Sequence, residues 1–119
     1  MKVRCITNIP GDGDLEIGKA YTIYGILFEE GRLKYLLSDS SFPSWHLARR
    51  FEFINELLPP NFYFSFDKSE NIGILSYKEM ALQEDHFIEL VECVPKAREI
   101  FAKRKKQIDE YEELRKINE

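Results

Sequence analysis

The chain has 119 residues, 44% hydrophobic and 32% charged, with a formal net charge of −4; this length suits one ordinary domain that needs no disulfide or metal to fold. No apolar run approaches the roughly 20 residues of a membrane span, and the first ten residues, MKVRCITNIP, lack the apolar core of a signal peptide. The negative charge argues against a general nucleic-acid binder, which usually carries a basic stripe.

The first half of the chain is predicted to be β-structure. Residues 3–7 form a short β-prone run that stops at the loop NIPGDGD. A strand is predicted over residues 20–28, followed by a hairpin turn at Gly31 and a returning strand in LKYLL. After the polar cluster SDSS and the segment around Trp45, RFEFI alternates apolar and charged residues, which predicts a half-buried strand.

Two adjacent prolines at 59 and 60 divide this single predicted domain into a β part, residues 1–58, and a hairpin with helices, residues 59–119. NFYFSF and IGILSY predict two strands joined by the turn DKSEN. The second strand has an alternative, in which it runs directly into a helix through YKEMAL.

Two helices are predicted after the hairpin. From Glu84 the spacing changes to a helical period, and Pro95 suits the first turn of the last helix. The first helix is predicted to have an apolar face of Phe87, Ile88 and Val91 and an acidic face of Asp85, Glu89 and Glu92. Apolar residues also follow helical spacing in the last helix, at Ala97, Ile100, Phe101, Ile108, Tyr111 and Leu114. The predicted fold class is therefore α+β.

Residues 15–54 resemble an SH3-like small barrel. The resemblance is carried by the strand entry GK-x-Y-x-I-Y, the hairpin ILFEEGRLKYLL, the turn SDSS and the segment PSWHLARRFEFI. It implies a small antiparallel barrel or curved sheet that precedes the C-terminal helices.

Trp45, the chain's only tryptophan, has two interpretations within that resemblance. As a structural residue it caps the open end of the barrel, while Pro43 holds Phe42 extended. As a binding residue it forms an aromatic platform with Tyr35 and Phe42. The structural interpretation is favoured, with an edge available for binding.

No catalytic, cofactor or metal motif is predicted. His46 and His86 lack ligand-spaced partners, and Cys5 and Cys93 are interpreted as buried, reduced thiols of a cytoplasmic protein. GDGDLE resembles a calcium loop only in its alternating acids, without the rest of the twelve-residue pattern. The basic run FAKRKKQ is followed at once by acidic residues, which is typical of a salt-bridged helix face; nucleic-acid contact is the alternative.

The acidic middle of the chain is the main clue to a partner, because residues 48–92 hold four basic and nine acidic side chains, a net charge of −5. In size, acidity and barrel pattern the chain resembles small immunity proteins of bacterial polymorphic-toxin and contact-dependent inhibition systems. That resemblance implies a non-enzymatic cytoplasmic inhibitor that caps a basic toxin, of nuclease type, without contacting nucleic acid or membrane itself. The residues expected to bind the toxin are Trp45, Asp67, Glu70, Glu84, Asp85 and Glu89.

Two other functions stay open. An SH3-like module would bind a peptide or RNA through Tyr35, Phe42 and Trp45, and a small enzyme would hold His46 or His86 beside a carboxylate in a deep pocket. In addition, the apolar stripe at the end of the last helix is compatible with a homodimer through that helix.

Overall fold

The computed structural model describes residues 1–38 and 43–118. In that part of the chain a β-rich half precedes three helices. The strands are β1 (Lys2–Cys5), β2 (Ala20–Thr22), β3 (Gly25–Glu29), β4 (Arg32–Ser38), β5 (Pro43–Leu47), β6 (Phe51–Asn55), β7 (Tyr63–Asp67) and β8 (Ile72–Ser76); the helices are α1 (Lys78–Leu82), α2 (His86–Val91) and α3 (Pro95–Asn118).

The strands form two antiparallel sheets. One has the order β2-β1-β6, and the other has the order β5-β4-β3-β8-β7. The α+β prediction is confirmed, but the strands do not close into a barrel. The segment that resembles an SH3-like barrel is divided between the two sheets, and β3 pairs with β8 of the second half.

The strand predicted over residues 20–28 is in fact two strands. Between them lie Ile23 and Tyr24, which are both buried. Adjacent side chains of an extended chain point to opposite sides, and here each joins a different core cluster. The backbone changes partner at the same point: the Ile23 nitrogen donates to the carbonyl of Met1 at 3.0 Å, and the Tyr24 nitrogen donates to that of Leu36 at 2.9 Å. Two consecutive buried residues, Ile23 and Tyr24, therefore mark the point at which the chain passes from one sheet to the other.

The five-stranded sheet is the middle of three layers. On one face it shares a core cluster with the three-stranded sheet, in which Val3, Tyr21 and Tyr35 are buried. Its other face packs against the helices through a second cluster that includes Leu36 and Phe101. Burial on both faces explains why β4 is apolar at consecutive positions rather than alternating.

A buried arginine holds the loop between β1 and β2. Arg50 is 0% exposed. Its guanidinium donates to two backbone carbonyl oxygens, that of Thr7 at 3.3 Å and that of Asp12 at 2.7 Å. It also donates to the Asp12 carboxylate at 3.0 Å and to the Asn8 side-chain oxygen. The Asp12 carboxylate also accepts the Leu47 backbone N–H at 2.9 Å. The first acid of the calcium-like run is thus occupied by the protein's own donors.

The face of α2 that is buried differs from the prediction. Ile88 and Val91 are each 55% exposed, whereas His86 and Leu90 are buried. A pattern based on apolar residues missed this face because one of its two anchors is a histidine. The Tyr77 hydroxyl lies 2.7 Å from His86 Nε2, and burial lowers the pKa of His86.

Both cysteines were predicted to be buried, and only one of them is. Cys5 is buried, but Cys93 is exposed. Cys93 lies between α2 and α3, and its φ of 61° places it in the left-handed conformation that ends a helix.

The last helix begins at Pro95, as predicted. Ala97, Phe101 and Ile108 are buried, but Leu114 is 60% exposed. The salt-bridged character expected of the basic run is seen where Lys105 contacts Asp109 at 2.8 Å. None of the helices in the described residues is long and apolar enough to span a membrane.

Candidate partner-binding groove

A groove of about 530 Å³ lies between the five-stranded sheet and the helices α1 and α2. We call it the Trp45 groove. Its apolar floor and wall come from the sheet and from the two helices, and include Leu27, Trp45, Ile72, Ile74, Met80, Phe87 and Ile88. Its four acidic lining residues are Glu29, Asp67, Glu70 and Glu84.

Trp45 is a partly buried residue of the groove lining, on the edge strand β5. It lies opposite Leu36 in the β4–β5 pair, and its ring is 6.0 Å from that of Phe87. The ring also approaches Gly25 so closely that a Cβ there would lie 3.3 Å from it and 2.8 Å from Ser76 Oγ. Trp45 thus packs against the second core cluster and also lines the groove. It does not cap a barrel, because the strands form two sheets.

The acidic residues differ in how firmly they are held. The Asp67 carboxylate accepts the Ser69 hydroxyl at 2.7 Å and the backbone N–H groups of Ser69 and Glu70 at 2.9 Å and 3.4 Å. These hydrogen bonds, that of the Ser69 hydroxyl first, lower the pKa of Asp67 and keep it ionised. Glu29 lies 3.7 Å from the Lys34 ammonium.

The other two acids are available to a partner. Glu70 and Glu84 are exposed, and neither has an ion-pair partner in the part of the chain that the structure describes. The side chain of Glu70 projects from the β7–β8 turn, and Glu84 lies in the segment between α1 and α2. Two uncompensated carboxylates from separate elements therefore lie beside one apolar surface.

Four of the six residues predicted to bind a partner come together in this groove: Trp45, Asp67, Glu70 and Glu84. Asp85 and Glu89 do not line it. Because His86 is the buried anchor of α2, the charge of Glu89 lies near that ring, where it tends to raise the pKa of His86. The part of Asp85 and Glu89 in binding stays a prediction.

The groove residues that sequence reasoning did not propose for binding include Glu29, Phe87 and Ile88. The alternation along β3 could have identified Glu29, because residues two apart in a strand share a face and Glu29 therefore lies on the same face as Leu27. Nothing local to the sequence indicates that Ile88 lies on the exposed side of its helix.

The aromatic groove expected from Tyr35, Phe42 and Trp45 is not formed as predicted. Tyr35 is buried in the first core cluster, whereas Trp45 packs against the second, on the other face of the sheet. The register of β4 and β5 explains why the two rings lie on opposite faces of the sheet. Tyr35 is opposite His46, whereas Trp45 is opposite Leu36, and adjacent residues of a strand point to opposite faces. Burial raises the pKa of Tyr35. Phe42 lies outside the described residues.

The two histidines lie in separate structural networks. His46 Nδ1 is 2.8 Å from the Asp12 carbonyl oxygen and Nε2 is 2.7 Å from Ser44 Oγ, while His86 contacts Tyr77. Neither lines the Trp45 groove. In residues 1–38 and 43–118, no group of three His, Cys, Asp or Glu side chains is arranged to hold a metal ion.

Comparison of the chain with protein-family models, curated proteins and solved structures finds no match.

Proposed function

We propose that this protein is a non-enzymatic binding protein that captures a basic segment of a protein partner in the Trp45 groove. The observation that carries the proposal is the combination of an apolar lining with four carboxylates from separate elements. An apolar surface alone would accept many partners, whereas the carboxylates select a cationic one.

Each part of the groove has a distinct physical role. Burial of an apolar side chain against Trp45, Phe87 and Ile88 supplies affinity, at roughly 25 cal/mol per Å² of apolar surface removed from water. Glu70 and Glu84 attract lysine or arginine from a distance, which raises the association rate. Salt screens this attraction, so binding is expected to be weaker at high salt. Asp67 is held ionised by its turn, so its charge is present over the whole physiological pH range.

We further propose that the partner is a toxin and that the protein acts inside the cell as its immunity protein. A nuclease active site must hold phosphate and is therefore cationic, so an acidic groove can occupy it in place of nucleic acid. The acidic middle of the chain supports this assignment.

The test is co-expression with the C-terminal part of the protein encoded by the adjacent gene. The expected result is that the neighbour alone is lethal, that the two together are tolerated, and that they co-purify. A harmless neighbour that does not bind would overturn the immunity assignment.

Charge reversal then tests the groove itself. The double variant Glu70→Lys, Glu84→Lys is expected to weaken binding at least tenfold at low salt, since two exposed attractions become repulsions. The matched control Glu92→Lys, Glu99→Lys makes the same change in net charge at exposed positions outside the groove. Equal effects of the two variants would show that net charge alone, and not the groove, governs binding.

An apolar peptide is the second candidate ligand, favoured by the exposed Ile88 beside the Trp45–Phe87 pair. For this ligand, Ile88→Ser abolishes binding while reversal of Glu70 and Glu84 leaves it and its salt dependence unchanged. Ile88→Ser is expected to weaken binding of either ligand, so the charge reversal is the variant that separates the two candidates.

A further inference from the structure

The opposite face of the five-stranded sheet carries a second apolar surface, away from the Trp45 groove. Register places Leu33, Phe28, Gly73 and Phe66 in one row across β4, β3, β8 and β7. Phe64 lies two residues before Phe66, so it shares this face, and its ring meets that of Phe28 edge-on at 6.1 Å. We call the surface made by Phe28, Leu33, Phe64 and Phe66 the Phe64 face. These four side chains are 37–60% exposed, most of all Phe64.

Gly73 allows the two β7 rings to lie flat on the sheet. A Cβ at this position would come within 3.1 Å of the Phe64 ring and 3.5 Å of the Phe66 ring. The rings thus occupy the space left by the missing side chain, as aromatic residues commonly do beside a strand glycine. Both rings lie close to Gly73 while their side chains stay 50–60% exposed, so they offer apolar surface to a partner.

The strand that carries these rings is at the edge of its sheet. β7 pairs with β8 on one side only, and within the described residues no other backbone group bonds to residues 63–66. Natural edge strands are usually protected by charged residues or proline. β7 has neither until its last residue, Asp67.

We propose that two copies of this protein form a dimer by antiparallel pairing of β7 with β7, centred on Ser65. The two five-stranded sheets would then become one continuous ten-stranded sheet with a two-fold axis at its middle. Such an isologous contact uses the same surface of both copies and closes without forming a fibre.

This register is self-complementary in both shape and charge. It places Phe64 opposite Phe66 of the second copy, twice, and aromatic cross-strand pairs stabilise sheets. Asp67 lies opposite Tyr63 of the second copy, so no carboxylate faces another. Parallel pairing in register would place the two Asp67 side chains together, which is unfavourable.

The interface is small, and its size sets the expected affinity. It covers two phenylalanines and five residues of backbone edge from each copy, which falls below the roughly 1,200 Å² at which stable interfaces begin. We therefore expect a weak dimer with a dissociation constant in the micromolar range. This inference goes beyond the proposed function and does not depend on it.

Analytical ultracentrifugation of the full chain, from low to high micromolar concentration, tests the dimer. Wild-type protein is expected to shift from monomer to dimer, and Phe64→Lys, Phe66→Lys is expected to stay monomeric, with circular dichroism confirming that it folds. Two controls carry the same type of substitution elsewhere: Phe53→Lys on β6 and Leu114→Lys on α3, both at exposed apolar positions. Both are expected to dimerise like the wild type.

A monomeric wild type at every concentration would overturn the proposal. So would a dimer that Leu114→Lys dissociates and the β7 variant does not, since the interface would then be the last helix. Dissociation by Phe53→Lys would equally overturn the β7 register.

Disulfide trapping gives a second readout that needs no apolar residue to be removed. Opposite residues of an antiparallel pair have Cα atoms about 4.5–5.5 Å apart, inside the roughly 4.4–6.8 Å range that a disulfide spans. In a Cys93→Ser background, Ser65→Cys is expected to oxidise to a covalent dimer much faster than Glu70→Cys in the adjoining turn. Equal rates for the two would contradict the register.

Discussion

Replacement of Arg50 by methionine is expected to be among the most damaging single changes in this protein. The guanidinium is fully buried and donates to the Asp12 carboxylate and to two backbone carbonyls. Methionine fills most of the volume but donates nothing, so the Asp12 carboxylate keeps the Leu47 N–H but loses the guanidinium. The backbone carbonyls of Thr7 and Asp12 lose the same donor. Removing one member of a buried ion pair costs about 3–5 kcal/mol. The Asp12 side chain is 13% exposed and keeps some water, so the lower end, about 3 kcal/mol, is expected.

Urea denaturation followed by Trp45 fluorescence measures the effect. The matched control is Arg49→Met, an exposed neighbour whose loss is expected to change the free energy of unfolding by less than about 0.5 kcal/mol. Arg50→Lys should fall between the two, because lysine keeps the charge but not the guanidinium fork. A cost below about 1 kcal/mol for Arg50→Met would refute the view that this network holds the loop.

Three further predictions concern pH and packing. Burial lowers the pKa of His86 in the folded protein, so near the unfolded-state pKa of about 6.5 the unfolded chain binds a proton that the folded protein does not. Stability should therefore fall as pH drops through this region. His86→Gln should remove that pH dependence from the melting temperature. The hydrogen bonds from Arg104 are the main cause of the lowered pKa of Glu79, so its stabilising contribution is complete above the ordinary pKa of about 4.3 and is lost below it; Glu79→Gln should flatten the acid limb of the same curve. Because the charge of Glu79 also raises the pKa of His86, the variant should deepen the loss of stability in the His86 region. Gly25→Ala brings a Cβ to 2.8 Å from Ser76 Oγ and should cost about 1–3 kcal/mol by overpacking, with a shift in Trp45 emission; unchanged urea midpoint and emission would contradict the close packing.

The elements predicted correctly are those with local signals. The β3–β4 turn at Gly31, the β7–β8 turn in DKSEN and the start of α3 at Pro95 each depend on residues within a few positions of one another. The pairing of β3 with β8 has no such local signal, because the two strands are far apart in the sequence and the hydrogen bonds between them are made by the backbone, whatever the side chains. This is why a barrel was expected where two sheets occur.

The site was predicted from chemistry rather than from geometry. Charge and aromatic character alone predicted four groove residues, Trp45, Asp67, Glu70 and Glu84. The pairing of β3 with β8 and the placement of α1 bring these residues into one groove. Glu89 does not line the groove, because the buried face of α2 is set by a histidine that an apolar pattern ignores.

The position of β3 has a consequence for how the chain can be divided. Its two neighbours, β4 and β8, come from opposite sides of the exposed link that contains Leu57 and Leu58. A cut in this link leaves two pieces whose sheets end in complementary edges, and Arg115 of the second piece still donates to the Leu57 carbonyl at 2.9 Å. Each piece exposes its part of the second core cluster, which the other piece covers, so the protein is suited to fragment complementation.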